Sequence, residues 1–202
     1  MSVVPYPHED RPGGWEKISS KELLIHPRIT LYEHEVKLPG GEVIDYLVYD
    51  DGRDFCTVIA LGDDSKIMMV REFTYPLNGY LWQFPEGNVD KVGSTSSYEA
   101  DAKRELVEET GYEALGMEIL GHSLKNHRRT KNRQYVWLAT GIKELPGGKG
   151  SDHSEDIAED IAEVEFFSEE EIWSMISSGQ IEQKNTLAAW AVYQSHNRAG
   201  SS

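Results

Sequence analysis

Arg104-Glu105-Leu106-Val107-Glu108-Glu109-Thr110-Gly111-Tyr112 puts three carboxylates on two turns of an expected helix and closes it with glycine. Side chains three and four positions apart share a helix face, so Glu105 meets Glu108 and Glu109 and the like charges repel. Folding alone gains nothing from that repulsion, whereas a divalent cation relieves it. Hard carboxylate oxygens suit Mg²⁺ or Mn²⁺, which keep coordination positions for water and phosphate oxygens. A Glu-Glu pair standing alone is usually a solvated acidic face. Its neighbours here reverse that weighting.

Upstream lies Leu81-Trp82-Gln83-Phe84-Pro85-Glu86-Gly87, an apolar run ending in a Pro/Gly break. With these residues in place, the chain resembles the Nudix hydrolase family. Gly87 matches the opening glycine of the family signature, and Arg104, Glu105, Leu106, Glu108, Glu109, Gly111 and Tyr112 match its closing half without a gap. One departure is a short insertion between Gly87 and Arg104, which brings Ser94 or Ser96 to the place of the signature's first glutamate.

Net charge is −15, which argues against nucleic acid or an anionic membrane as partner, since both require basic surface. No apolar run approaches the ~20 residues of a membrane helix. The stretch from Met1 to Trp15 has no apolar core and does not read as a signal peptide. The lone cysteine, Cys56, lies in the apolar run Phe55 to Leu61 and reads as a buried core thiol. These features predict a cytoplasmic protein. Acid is concentrated in Asp152 to Glu171, with ten Asp or Glu and no Lys or Arg. Lys125, Arg128, Arg129, Lys131 and Arg133 form an opposing basic cluster, suited to a small anionic ligand beside a metal.

The scaffold that must position these residues follows from pattern. Ile29 to Leu38 and Val43 to Tyr49 read as strands joined by Pro39-Gly40-Gly41. Phe55 to Leu61 and Lys66 to Glu72 form a second pair, followed by a short strand around Leu81 to Phe84. Ser96 to Glu99 reads as a capping box opening the carboxylate helix, and Gly111 closes it. Strands are expected at Leu115 to Leu120, Gln134 to Ala139 and Ala162 to Phe167. Ser168 and Glu171 repeat the capping box for a helix to about Ser177, and Thr186 to Ser195 gives a last amphipathic helix. The fold class is α+β: a small antiparallel appendage over residues 1–50, then residues 51–198 as a mixed sheet between helices. That agrees with the α/β/α sandwich that the resemblance implies.

From about Trp15 to Ser195 the chain is similar to the ADP-ribose pyrophosphatase and nucleoside-diphosphate-sugar branch of the family. The resemblance implies cleavage of the diphosphate in a nucleoside diphosphate linked to another moiety, by a homodimer joined through the N-terminal hairpin. It implies metal ligation by Glu105, Glu108, Glu109 and the carbonyl of Glu86, with Arg104 orienting the carboxylates. Substrate contacts fall to Arg71, Arg128, Arg129 and Arg133. If the segment alternates as a strand, Arg129, Lys131 and Arg133 share one face. The general base is expected from the acidic loop, among Glu155, Asp156, Glu159 and Asp160, with Glu159 chosen. Three departures weigh against ADP-ribose itself: no proline in Asn126 to Arg129, Thr74 in place of an arginine, and Gln83 in place of a glutamate. The competing readings are an RNA-end, cap or dinucleotide pyrophosphohydrolase, and a non-catalytic binding module.

Overall fold

The computed structural model describes residues 14–89, 95–146 and 160–200. The chain divides into two compact units: residues 1–53 with 124–133, and residues 54–123 with 134–202.

The larger unit is layered. Strand β4 (Phe55–Ala60) is buried along its whole length, pairs in parallel with β9 (Arg133–Glu144), and pairs antiparallel with the three-residue edge strand β7 (Glu86–Asn88). With β8 (Tyr112–Leu124) the sheet order is β7-β4-β9-β8. A second sheet sets β5 (Ile67–Thr74) between β6 (Gly79–Gln83) and β10 (Ile161–Phe167).

Strand alternation sends side chains to opposite faces and so makes two cores. Cys56, Val58 and Ala60 join Tyr98, Ala102 and Leu106 of helix α1 (Thr95–Thr110). Ile59 and Val136 instead join Ile172 and Met175 of α2 (Glu169–Ser177) and Ala189 and Trp190 of α3 (Lys184–Gly200). The result is sheet between helices, as expected. Tyr98, Ala102 and Leu106 recur every fourth residue as one buried stripe. Burying a side chain of leucine's size contributes ~1.5–3 kcal/mol, so this stripe fixes the rotation of α1 and hence the direction of its glutamates.

The smaller unit holds a three-stranded antiparallel sheet, β1 (Glu16–His26), β2 (Ile29–Lys37) and β3 (Val43–Asp50), in that order. Pattern reading anticipates β2 and β3 but not β1. Its pairing with β2 shifts register between Lys17 and Ser19 and again between Glu22 and Leu24. Each bulge resets the two-residue alternation, so the apolar residues of β1 never show a steady period.

Candidate active site

Helix α1 carries the carboxylates toward β7. Glu105 and Glu109 are 5% and 2% exposed, rare burial for acids. The Glu86 N–H donates to Glu109 Oε2 at 3.2 Å. Gly87 is required by contact: a Cβ there would stand 1.9 Å from Cδ of Glu105. Arg104 donates to Glu105 Oε1 at 2.8 Å and to Glu108 Oε2 at 2.7 Å. It also donates to the Asn88 carbonyl at 3.2 Å, tying β7 to the helix. Gly111, at φ +76°, ends α1 and donates its N–H to the Val107 carbonyl. The expected Ser96 cap is displaced, since α1 already includes Thr95.

Among the described residues, no group of three or more His, Cys, Asp and Glu side chains converges closely enough to hold a metal ion as it stands. The donor set nevertheless fits a hard divalent cation. Glu105 and Glu109 are buried oxygen donors, and the lack of a Cβ on Gly87 is what gives the Glu105 carboxyl its place against β7.

Glu86 has a side chain that sequence reasoning left without a role. Burial pushes its carboxyl up to about 7, against opposing hydrogen bonds from Gln183, Asn185 and Thr57 and with a further rise from nearby Glu72. Gln183, Thr57 and Gln134 were not singled out from the sequence; nothing local marks them, because they meet only when β4, β9 and the start of α3 pack together.

Arg71 pairs with Glu163 across β5 and β10, and its guanidinium lies 5.4 Å from the centre of the Tyr80 ring. Asp160 accepts from the Tyr80 hydroxyl at 3.1 Å, and that bond raises the phenol's pKa. Glu155, Asp156 and Glu159 lie outside the described residues, as do residues 90–94 between Gly87 and Arg104.

Residues 126–132 form a turn rather than a strand. The Asn126 carbonyl accepts from the N–H groups of Arg129 and Thr130, both at 2.9 Å, so the alternation expected for Arg129, Lys131 and Arg133 does not arise. Arg128, Arg129 and Lys131 instead line a cleft of about 680 Å³ in the smaller unit, with Lys17, Tyr32 and His34 on its walls. Arg133 opens β9 and is not part of that lining. Arg129 donates to the Leu47 carbonyl at 2.8 Å and lies over the Tyr46 ring. The Tyr46 hydroxyl donates to the Arg128 carbonyl at 3.0 Å. The turn is therefore held in one conformation against its sheet. Trp15, at 55% exposed, meets Tyr46 edge to face.

The chain is 28% identical over 142 residues to an ADP-ribose pyrophosphatase of Mycobacterium tuberculosis, covering 70% of this chain and 66% of that one. It is 38% identical over 101 residues to an ADP-ribose pyrophosphatase of Bacillus subtilis, covering 49% of this chain and 52% of that one. The matched stretches thus span roughly half to two thirds of these relatives. A solved structure described as an ADP compounds hydrolase superposes with a TM-score of 0.76 at 15% identity, over 92% of this chain and 95% of that one, a likeness of fold. The NUDIX domain model matches residues 52–190, the stretch that holds Gly87, Arg104, Glu105, Glu108 and Glu109, and the chain belongs to that family.

Proposed function

We propose that this protein is a divalent-cation-dependent hydrolase of the diphosphate in a nucleoside diphosphate joined to another moiety, such as an NDP-sugar or an ADP-ribose-like compound. The observation that carries the reading is the pair of buried carboxylates, Glu105 and Glu109, held against a glycine strand by Arg104 and a backbone N–H. A binding-only module has no physical need to bury that repulsion.

A diphosphate resists hydrolysis because its oxygens repel a nucleophile. Bound Mg²⁺ or Mn²⁺ supplies charge neutralisation and a water of lowered pKa. Glu105, Glu108, Glu109 and the Glu86 carbonyl are the ligands in this reading. Arg104 keeps Glu105 and Glu108 aligned through one guanidinium. Glu159, in the acidic loop before β10, takes the proton from the attacking water. Arg128 and Arg129, with Arg71 and Arg133, hold phosphate oxygens and the remainder of the substrate through planar charge-assisted pairs.

The reading includes a homodimer formed through the N-terminal appendage, residues 1–50, with residues 51–198 as the hydrolase domain. Support comes from β1, exposed at every position with Ile18 51%, Leu24 52% and Ile25 72% open. Apolar strand surface of that kind is normally covered. No described helix is long and apolar enough to cross a membrane; we place the protein in the cytoplasm on its single thiol and acidic composition.

The test is a substrate panel of NDP-sugars, ADP-ribose, dinucleoside polyphosphates and capped RNA with Mg²⁺ or Mn²⁺, scored by products. Release of a nucleoside monophosphate with a phosphorylated partner supports the proposal. Activity confined to capped RNA would move the assignment to RNA ends, and no activity on any member would favour a binding module.

A further inference from the structure

The carboxyl of Glu86 is half-buried where an apolar side chain would fill the same space without desolvation cost. Its backbone and its side chain face two different jobs. The backbone N–H reaches Glu109 Oε2 at 3.2 Å, and the next residue, Gly87, lies directly beneath the Glu105 carboxyl. The side chain points the other way. Its Oε1 accepts from Gln183 Nε2 at 2.6 Å and its Oε2 from Thr57 Oγ1 at 3.3 Å.

Both partners are themselves fixed. Gln183 precedes α3 as its cap: its side-chain oxygen accepts from the Thr186 N–H at 2.7 Å, and its carbonyl takes the first helical bond from Leu187. Thr57 Oγ1 accepts from Gln134 Nε2 at 2.8 Å. The same Gln134 nitrogen donates to the Asn185 carbonyl, and its oxygen accepts from Ser123 Oγ, each at 2.8 Å. Thr57, Gln134 and Thr186 are at most 1% exposed. A satisfied buried network of this kind selects one arrangement of the elements it joins. Strand β7 depends on it, because three residues at a sheet edge have few ladder bonds of their own.

We infer that the side chain of Glu86 is a positioning residue: it anchors β7 to β4 and to the cap of α3, and so sets where Glu105 and Glu109 stand for the metal. The inference rests on the metal-helix reading above. It assigns the start of α3, through Gln183 and Asn185, a share in shaping the metal site.

The experiment measures Mn²⁺ affinity by electron paramagnetic resonance of free Mn²⁺, and amide hydrogen exchange at Glu86 and Gly87 in the metal-free protein. The variants are Glu86→Ala, Glu86→Gln, Gln183→Ala and the Glu86→Ala/Gln183→Ala double. Glu86→Ala is expected to weaken Mn²⁺ by at least ~10-fold, as losing an outer-shell support typically does, and to speed amide exchange at position 86 and at Gly87. Glu86→Gln keeps an oxygen for Gln183 and should stay within ~3-fold of wild type, since geometry rather than charge is at stake. Gln183→Ala should weaken binding alone and add little in the double variant, because the two act through one contact. Wild-type Mn²⁺ affinity in Glu86→Ala, or equal loss in Glu86→Ala and Glu86→Gln, overturns the inference. If Glu86→Ala does not fold, unchanged affinity in Gln183→Ala overturns it instead. A wild-type protein that binds no Mn²⁺ overturns the metal-helix reading itself, which separates the two failures.

Discussion

At the scale of single residues, chemistry was legible wherever spacing alone created it. Glu105, Glu108 and Glu109 repel on any helix, so their meaning could be read before any fold was known. The role of Gly87 shows only in contact: its hydrogen takes the place where a Cβ would overlap the Glu105 carboxyl. Because that carboxyl is the far end of a flexible side chain, Gly87→Ala should fold with a melting temperature near wild type while displacing Glu105. Turnover and Mn²⁺ affinity should both fall at least ~10-fold, measured by steady-state kinetics and metal titration. An alanine variant with native affinity would show that Glu105 is not a ligand. Arg128 makes a separate prediction. It lines the cleft of the smaller unit beside Lys131, so Arg128→Ala should raise KM by roughly tenfold with little change in kcat, the signature of lost uniform binding. Unchanged KM at low salt would assign it to the surface. The network of Thr57, Gln134 and Gln183 stayed hidden because its members are far apart in sequence and none carries charge.

At the scale of elements, the Ser168 cap and the Pro39-Gly40-Gly41 turn were legible, while the start of α1 and strand β1 were not. Ser168 was expected to cap a helix, and both halves of the capping box are formed: the Glu171 N–H donates to Ser168 Oγ and the Ser168 N–H to Glu171 Oε2. Ser168→Ala should cost about 1 kcal/mol in thermal or denaturant unfolding. The backbone bond from Ser168 holds the Glu171 carboxyl below its usual 4.5. A carboxyl lowered in the folded state stabilises above the unfolded value and loses that contribution as pH falls through the folded one. Stability should therefore drop more steeply below about pH 4.5 in wild type than in Glu171→Gln, and matching acid limbs would contradict the cap's charge dependence. Strand β1 escaped notice for the opposite reason. Its two bulges erase periodicity, and its partner strand rather than its own pattern makes it a strand. Residues 126–132, between the strands expected at Leu115 to Leu120 and Gln134 to Ala139, form a turn around the Asn126 carbonyl, so the shared face that alternation would give Arg129, Lys131 and Arg133 does not arise.

At the scale of the whole molecule, the two-faced core of the larger unit gives its helices their places; a mixed sheet between helices was legible from the apolar runs and their breaks, and the α/β/α sandwich from the family resemblance. What covers the N-terminal sheet was not. The exposed apolar side chains of β1 lead us to expect a dimer by light scattering at ~10 µM, with Leu24→Glu/Ile25→Glu shifting it toward monomer; a wild-type monomer would contradict that. The central claim is that α1 is a metal-bound hydrolytic centre, and one comparison tests it most directly. Hydrolysis of the best substrate of the panel is measured for wild type with Mg²⁺, for wild type with EDTA, and for Glu109→Gln with Mg²⁺. The account predicts activity only in the first, with the Gln variant down at least ~10²-fold, the scale of losing one key electrostatic contact. Its fold should be as stable as wild type without metal, because a buried repulsion is relieved. Full activity in EDTA, or in Glu109→Gln, would contradict the account.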